Sequence, residues 1–122
     1  MAKQKTGYVD GFVLVVPKKK IESYKRMARW GEKLWKKHGA LDYKECVADD
    51  MRAKFGLPFP KLTKTKPGEV VVFSFITFKS RKHRDEVNKK VMADPVMKEP
   101  MIKDMPFDMN KMAYGGFTVI AG

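Results

Sequence analysis

The sequence has little cysteine, little histidine and no long apolar stretch. One cysteine, Cys46, among 122 residues excludes an internal disulfide and a cysteine-based metal cluster. The two histidines, His38 and His83, are also too few for zinc, which usually takes about three or four protein ligands. Apolar runs such as Phe12–Val16 are far shorter than the roughly 20 residues of a membrane span. We therefore expect no metal, no cofactor and no membrane span.

Arginine is scarce although the chain is strongly basic. The 26 basic residues outnumber the 14 acidic ones, which gives a net charge of +12, but only five are arginines. Arginine makes most of the bidentate contacts with phosphates and bases. Residues 18–38 hold nine basic and two acidic residues, and we interpret their lysines as a solvated helix face. Nucleic acid is therefore not the partner that we expect.

The chain is predicted to form one domain, residues 1–122, because its length and its 43% hydrophobic content suit a single core. The N-terminus leads straight into a strand-like segment without a signal peptide, so we expect a cytoplasmic protein. The predicted strands are residues 7–16, 40–48, 69–78 and 112–120, and the predicted helices are residues 18–38 and 80–93. The connection 49–68 is long for a compact domain, and its apolar residues predict a loop that packs down.

The predicted order of elements is β-α-β-β-α-β. This order defines the ferredoxin-like α+β sandwich, with an antiparallel sheet in the order 4-1-3-2 and both helices on one face. A sheet that is covered on one face should alternate apolar and polar residues, but the first and third strands are apolar on both faces. A second copy that packs sheet against sheet would cover the free face. We therefore expect a homodimer.

Several motifs resemble the YbaA-like bacterial family, a group with no established reaction in the dimeric α/β-barrel superfamily. They include Tyr8-Val-Asp-Gly-Phe12, Glu45-Cys46 followed by Asp49-Asp50, Arg84-Asp85-x-x-Asn88 and Tyr114-Gly-Gly-Phe117. The resemblance implies a ferredoxin-like domain that forms a dimeric α/β barrel. Wider relatives in the superfamily imply a cavity between sheet and helices for small, mostly apolar molecules, although one fold serves many functions.

Asp10 is the candidate catalytic acid or base. It lies in a strand that buries nearly every other residue, and burial raises the pKa of a carboxyl group. The alternative is a structural role, in which the carboxylate of Asp10 is bonded to the backbone or to a lysine. Glu45 lies on a strand of mixed polarity, and we expect its side chain to be exposed.

The candidate ligand-binding residues form two groups. Gly11, Gly115 and Gly116 lie on neighbouring strands and predict either a bulge or a hollow with an aromatic border. The aromatic residues around that hollow are Tyr8, Phe12, Tyr114 and Phe117. Arg84 and Asn88 share a helix face and could hold a substrate carboxylate. Alternatively, Arg84 pairs with Asp108 and anchors the loop 105–108.

Three functions follow as hypotheses. The first is a protein that binds a small apolar or phenolic molecule, with a cofactor-free enzyme as its catalytic form. The second is a non-catalytic dimeric stress or interaction module. The third is a binder of nucleic acid or of an anionic surface through the lysines of the first helix. The first hypothesis is preferred, and the chain itself does not decide whether it is an enzyme.

Overall fold

The computed structural model describes residues 5–98 and 105–122. Over these residues the chain has a mixed α+β fold with a four-stranded antiparallel sheet and three helices. The strands are β1 (Tyr8–Pro17), β2 (Asp42–Val47), β3 (Glu69–Phe78) and β4 (Ala113–Thr118). The helices are α1 (Ile21–Lys37), α2 (Phe59–Leu62) and α3 (Arg81–Ala93). The predicted four strands and two long helices are confirmed, with their ends shifted by a few residues.

The sheet is built around the pairing of β1 with β3. Its order is β2-β3-β1-β4, and β1 pairs with β3 from Tyr8 opposite Phe78 to Pro17 opposite Glu69. Both strands are rich in β-branched and aromatic residues, which favour extended backbone. Because side chains alternate along a strand, this register sends the even-numbered residues of both strands to one face and the odd-numbered residues to the other.

The even-numbered face carries the hydrophobic core. Leu14, Val16, Val72 and Phe78 are almost completely buried. Both long helices pack on this face, and their buried residues are Tyr24 and Leu34 from α1 and Val87 and Val91 from α3. Each fully buried aliphatic or aromatic side chain contributes about 1.5–3 kcal/mol relative to an exposed one. The core therefore fixes both helices above the two central strands.

The two histidines hold the ends of the helices in place. His38 follows α1, and its Nε2 lies 2.8 Å from the Oδ2 of Asp94, which directly follows α3. The backbone N–H of Val96, then His38 and Lys37, hold the pKa of the Asp94 carboxyl well below its usual range. His83 lies in the first turn of α3, where its Nδ1 accepts a hydrogen bond of 3.0 Å from the backbone N–H of Lys79. Both side chains thus have structural partners.

The odd-numbered face of the sheet has a large apolar surface. Phe73 of β3 is 43% exposed, and Phe117 of β4 is 61% exposed. Val9 and Val13 of β1 lie beside them on the same face, as the register of the strands requires. The described helices α1 and α3 pack on the opposite face and leave these aromatic side chains uncovered.

Most apolar side chains of the connection between β2 and β3 do not pack down, and for these the expectation is wrong. Phe55 is 90% exposed, and Leu57 and Leu62 are also exposed. The regular structure in this segment is the single turn α2, which starts after Pro58. One turn presents too few residues on any face to bury a row of apolar side chains. The segment therefore leaves much of its apolar surface in contact with solvent.

Candidate functional site

Asp10 lies on the helix-facing side of β1 and is 5% exposed. Arg84 of α3 donates from its Nη1 to the Oδ1 of Asp10 at 2.7 Å. The Nε of Arg84 donates to the Oδ1 of Asp85 at 2.8 Å, and the guanidinium carbon lies 5.0 Å from the centre of the Tyr8 ring. Arg84 therefore bridges a buried and an exposed carboxylate while it stacks on an aromatic face.

Asn88, one helical turn after Arg84, completes this cluster. Its Oδ1 accepts a hydrogen bond of 3.1 Å from the indole N–H of Trp35, and its side chain lowers the pKa of Asp10. Burial raises the pKa of Asp10, and the nearby charge and hydrogen bond of Arg84 oppose that rise. The structure thus brings together Asp10, Arg84 and Asn88, and the charge of the Asp10 carboxylate is already paired with Arg84.

One expectation about this region fails. The alternative in which Arg84 pairs with Asp108 is wrong, because Arg84 pairs with Asp10 and Asp85. Asp108 instead accepts a hydrogen bond from the backbone N–H of Asn110 and caps a short turn. The role of Asp10 as a catalytic acid or base stays a prediction, and so does substrate binding by Arg84 and Asn88.

The predicted hollow between β1 and β4 is not formed. A Cβ on Gly116 would lie 2.8 Å from the Cε2 of Tyr8, so the Tyr8 ring fills the space that the glycine leaves. Phe12 stacks on Tyr114, with ring centres 5.8 Å apart. Phe117 pairs with Val9 and lies on the opposite face of the sheet from these three aromatic residues. The register from Tyr8 to Val13 is unbroken, so the glycines do not mark a bulge either.

A cavity of about 320 Å³ lies between α1 and the β2–β3 edge of the sheet. At its polar end the carboxylate of Glu45 accepts two short hydrogen bonds. The Tyr24 hydroxyl donates to Oε1 at 2.6 Å, and the Tyr43 hydroxyl donates to Oε2 at 2.7 Å. Ala28 and Val72 contribute apolar wall. A concave site with a few convergent polar groups is the usual form of a small-molecule site.

Local sequence patterns explain how these side chains meet. Tyr43 and Glu45 are two residues apart on β2, so both point to the face that carries the helices. Tyr24 is on the buried stripe of α1. Gly31 allows the close approach, because a Cβ at this position would lie 2.5 Å from the Tyr43 hydroxyl oxygen. A glycine on the helix therefore leaves room for a tyrosine on the strand.

The electrostatics of the cavity keep the tyrosines protonated. Burial, followed by the charge of Glu45, raises the pKa values of the Tyr24 and Tyr43 hydroxyl groups. Both hydroxyls therefore act as donors to Glu45. Among the described residues, no basic side chain lies within ion-pair distance of this carboxylate, although Lys25, Arg29 and Lys44 line the cavity.

The expectation that Glu45 is exposed is wrong, because its side chain is half-buried and both oxygens are hydrogen-bonded. The sequence does contain a signal for this cluster. A tyrosine inside the apolar stripe of α1 needs a partner for its hydroxyl group. Tyr43 and Glu45 share one face of the neighbouring strand, and Glu45 accepts the hydrogen bond of the Tyr24 hydroxyl.

Three further observations bear on the function. Within residues 5–98 and 105–122, no three His, Cys, Asp or Glu side chains form a group that could hold a metal ion. No helix among these residues has both the length and the apolar character that a membrane crossing requires. The lysines of α1 are exposed, and some pair locally, as Lys25 does with Glu22 and Lys36 with Glu32.

These features define a small α+β protein with a buried polar cluster around Asp10 and a carboxylate-centred cavity on α1. Residues 7–109 match the family described as "Protein of unknown function (DUF1428)", and the chain belongs to that family. The resemblance predicted from the motifs is thus confirmed at the level of the family.

The chain is similar to proteins named "Uncharacterized protein YbaA". The relatives from Escherichia coli (strain K12) and from Shigella flexneri are each 44% identical over 113 residues. These residues make up 93% of this chain and 96% of each relative. The names of these relatives state no substrate or reaction, so a specific function has to be argued from the geometry of the site.

The Asp10–Arg84 pair gives a test that depends on pH. In Arg84→Met, Asp10 loses its cation, so its pKa in the folded state rises further above the unfolded value. We expect a loss of about 3 kcal/mol in the free energy of unfolding near pH 7. This loss of stability arises from the ionised form of Asp10. It should therefore shrink as the pH falls through the raised pKa of Asp10 in the folded variant. Urea unfolding at several pH values measures it.

Arg81→Met is the matched control, because Arg81 is an exposed residue of the same helix. It should change the stability little at any pH. An equal loss for both variants, or a loss in Arg84→Met that does not change with pH, would contradict the role assigned to Arg84.

Proposed function

We propose that this chain binds a small apolar or phenolic molecule in the cavity between α1 and the sheet. The observation that carries the proposal is Glu45, a half-buried carboxylate that is held by two tyrosine hydroxyls in a cavity lined by both apolar and charged side chains. Glu45 has no ion pair among the described residues, and a carboxylate without an ion pair is costly to bury. A ligand that hydrogen-bonds to Glu45 would explain why the chain holds a half-buried carboxylate at this position.

The cavity suits the binding of a small molecule better than the Asp10 cluster does. The carboxylate of Asp10 is paired with Arg84 and is almost completely buried, so a ligand would have to displace protein groups. Glu45 uses one lone pair on each oxygen for the tyrosines and keeps further acceptor capacity. A volume of about 320 Å³ falls at the lower end of the usual range for ligand sites.

The architecture that we propose is a ferredoxin-like domain that forms a homodimeric α/β barrel. The strand order β2-β3-β1-β4, read from the other edge, is 4-1-3-2, and both long helices pack on one face. The other face carries Phe73 and Phe117 in contact with solvent. A second copy that packs sheet on sheet would bury this apolar face and leave both ligand cavities on the outer, helix-covered sides.

The ligand site can be tested by filling the cavity. Ala28→Leu adds volume to the wall of the cavity, and Ala93→Leu makes the same change at an exposed position at the end of α3. Compounds from a screen of small apolar and phenolic molecules should shift the NMR signals of cavity residues such as Val72. We expect Ala28→Leu to weaken the binding of these compounds about tenfold or more, because the leucine side chain fills part of the cavity. Ala93→Leu should leave the binding unchanged.

The proposal fails if the compounds that bind are insensitive to Ala28→Leu, or if their shifts map to Asp10 and Arg84 instead. Thermal unfolding of each variant checks that it is folded before its binding is compared. A screen without any compound that shifts the cavity signals would also count against the proposal.

The dimer is tested by measuring the molecular mass of the protein in solution. Sedimentation of the protein at micromolar concentration should give about twice the chain mass of 14.0 kDa. Phe73→Glu places a charge on the uncovered sheet face and should give a folded monomer. Met92→Glu alters an exposed apolar residue on α3, at 63% exposure, and should remain dimeric. A monomeric wild-type protein would contradict the dimer.

A further inference from the structure

The connection between β2 and β3 presents a group of large apolar side chains to solvent. Phe55 is 90% exposed, and Leu57, Phe59 and Leu62 are exposed as well. The backbone at this point is also open, because a Cβ on Gly56 would lie more than 4 Å from every described atom beyond its chain neighbours. Large apolar side chains that stay together on a surface usually mark a site of interaction.

Hydrogen bonds within the connection hold this surface in a defined shape. The backbone N–H of Leu62 donates to the carbonyl oxygen of Pro58 at 3.2 Å. The backbone N–H and the hydroxyl group of Thr63 both donate to the carbonyl oxygen of Phe59 at 2.9 Å. Pro58 also has a fixed φ angle, which limits the freedom of the chain before the turn. A segment that is already ordered loses less conformational entropy when it binds a partner.

The same segment carries only positive charge. Residues 51–68 include five basic residues and no acidic one. The Nε of Arg52 lies 3.7 Å from the Oδ1 of Asp50, which precedes the segment. The other four basic residues, which form no ion pair with any described side chain, are Lys54, Lys61, Lys64 and Lys66. Their charges are therefore available to an anionic partner.

A second group of lysines lies beside the end of the connection. The backbone N–H of Lys18 donates to the carbonyl oxygen of Gly68 at 2.8 Å, so the turn that follows β1 meets the start of β3. Lys18, Lys19 and Lys20 are exposed, and no acidic side chain of the described chain pairs with them. The basic surface thus continues from the connection to the beginning of α1.

We propose that the connection docks this protein on the surface of an anionic lipid bilayer, with its apolar side chains among the headgroups and its lysines at the lipid phosphates. The burial of apolar area and the attraction to anionic lipid add to each other at such a surface. Nucleic acid could stack on the phenylalanines, but it offers Leu57 and Leu62 no apolar contact. A second copy of the chain would bring a net charge of +12 against this positive segment.

Flotation with increasing amounts of lipid vesicles at low salt tests the docking. The unmodified protein should bind vesicles of equal parts phosphatidylglycerol and phosphatidylcholine much more tightly than vesicles of phosphatidylcholine alone, since only the first are anionic. Phe55→Ser should weaken binding to the anionic vesicles about tenfold, because one large apolar side chain no longer enters the headgroups. Lys61→Gln should weaken it about fivefold, through the loss of one charge near the lipid.

Each variant has a matched control. For Phe55→Ser the control is Ile120→Ser, because Ile120 is 96% exposed and lies beside Lys79, at the other end of β3 from the connection. For Lys61→Gln the control is Lys82→Gln, which removes the same charge from an exposed position near the start of α3. Both controls should bind nearly as tightly as the unmodified protein. All four positions are exposed, so each variant should stay folded.

The outcomes distinguish a bilayer from the other partners. The proposal is wrong if the unmodified protein does not bind anionic vesicles, or if Phe55→Ser and Ile120→Ser lose the same amount of binding. It is also wrong if Phe55→Ser binds vesicles normally but turns a dimer into a monomer in sedimentation, which would make the connection an interface between copies. Tighter binding to mixed-sequence DNA than to vesicles, with the same dependence on Phe55, would assign the segment to nucleic acid instead. These measurements leave the ligand cavity to its own test.

Discussion

The pairing of β1 with β3 is the constraint on which the rest of the structure depends. Its register divides the residues of the two central strands between a helix-facing core and an opposite face on which Phe73 is exposed. A shift of one residue would move Leu14, Val16 and Val72 from the core to the other face. The same register sets β2 and β4 on the two edges of the sheet, and so determines which polar side chains lie beneath the helices.

Asp10, which is buried, and Glu45, which is half-buried, differ because their strands occupy different places in this sheet. Asp10 is on a central strand, and Arg84 from α3 reaches it. Glu45 is on the edge strand β2, and α1 supplies it with a tyrosine instead of a cation. The central carboxylate is therefore neutralised by the fold itself. The edge carboxylate keeps acceptor capacity in a cavity that opens to solvent, and for this reason we place the ligand there.

Local pattern was enough to predict the strands and the long helices. The runs of β-branched and aromatic residues in β1 and β3 are signals that a few neighbouring residues carry. The grouping of Arg84 with Asn88 was also predictable from helical spacing. The contact of Tyr24 with Glu45 was not, because it joins residues 21 positions apart on different elements. Gly116 was misread for the same reason: what fills the space above it is Tyr8 of another strand.

The central claim, that Glu45 holds Tyr24 and Tyr43 as protonated donors, is tested most directly by alkaline titration of tyrosinate absorbance. The signals of the two residues are assigned by difference from Tyr24→Phe and Tyr43→Phe proteins. We expect both to ionise in the unmodified protein only when the chain unfolds, and to ionise at lower pH in folded Glu45→Gln. Ionisation of either residue in the folded, unmodified protein near pH 10, about the value for a free tyrosine, would contradict the claim.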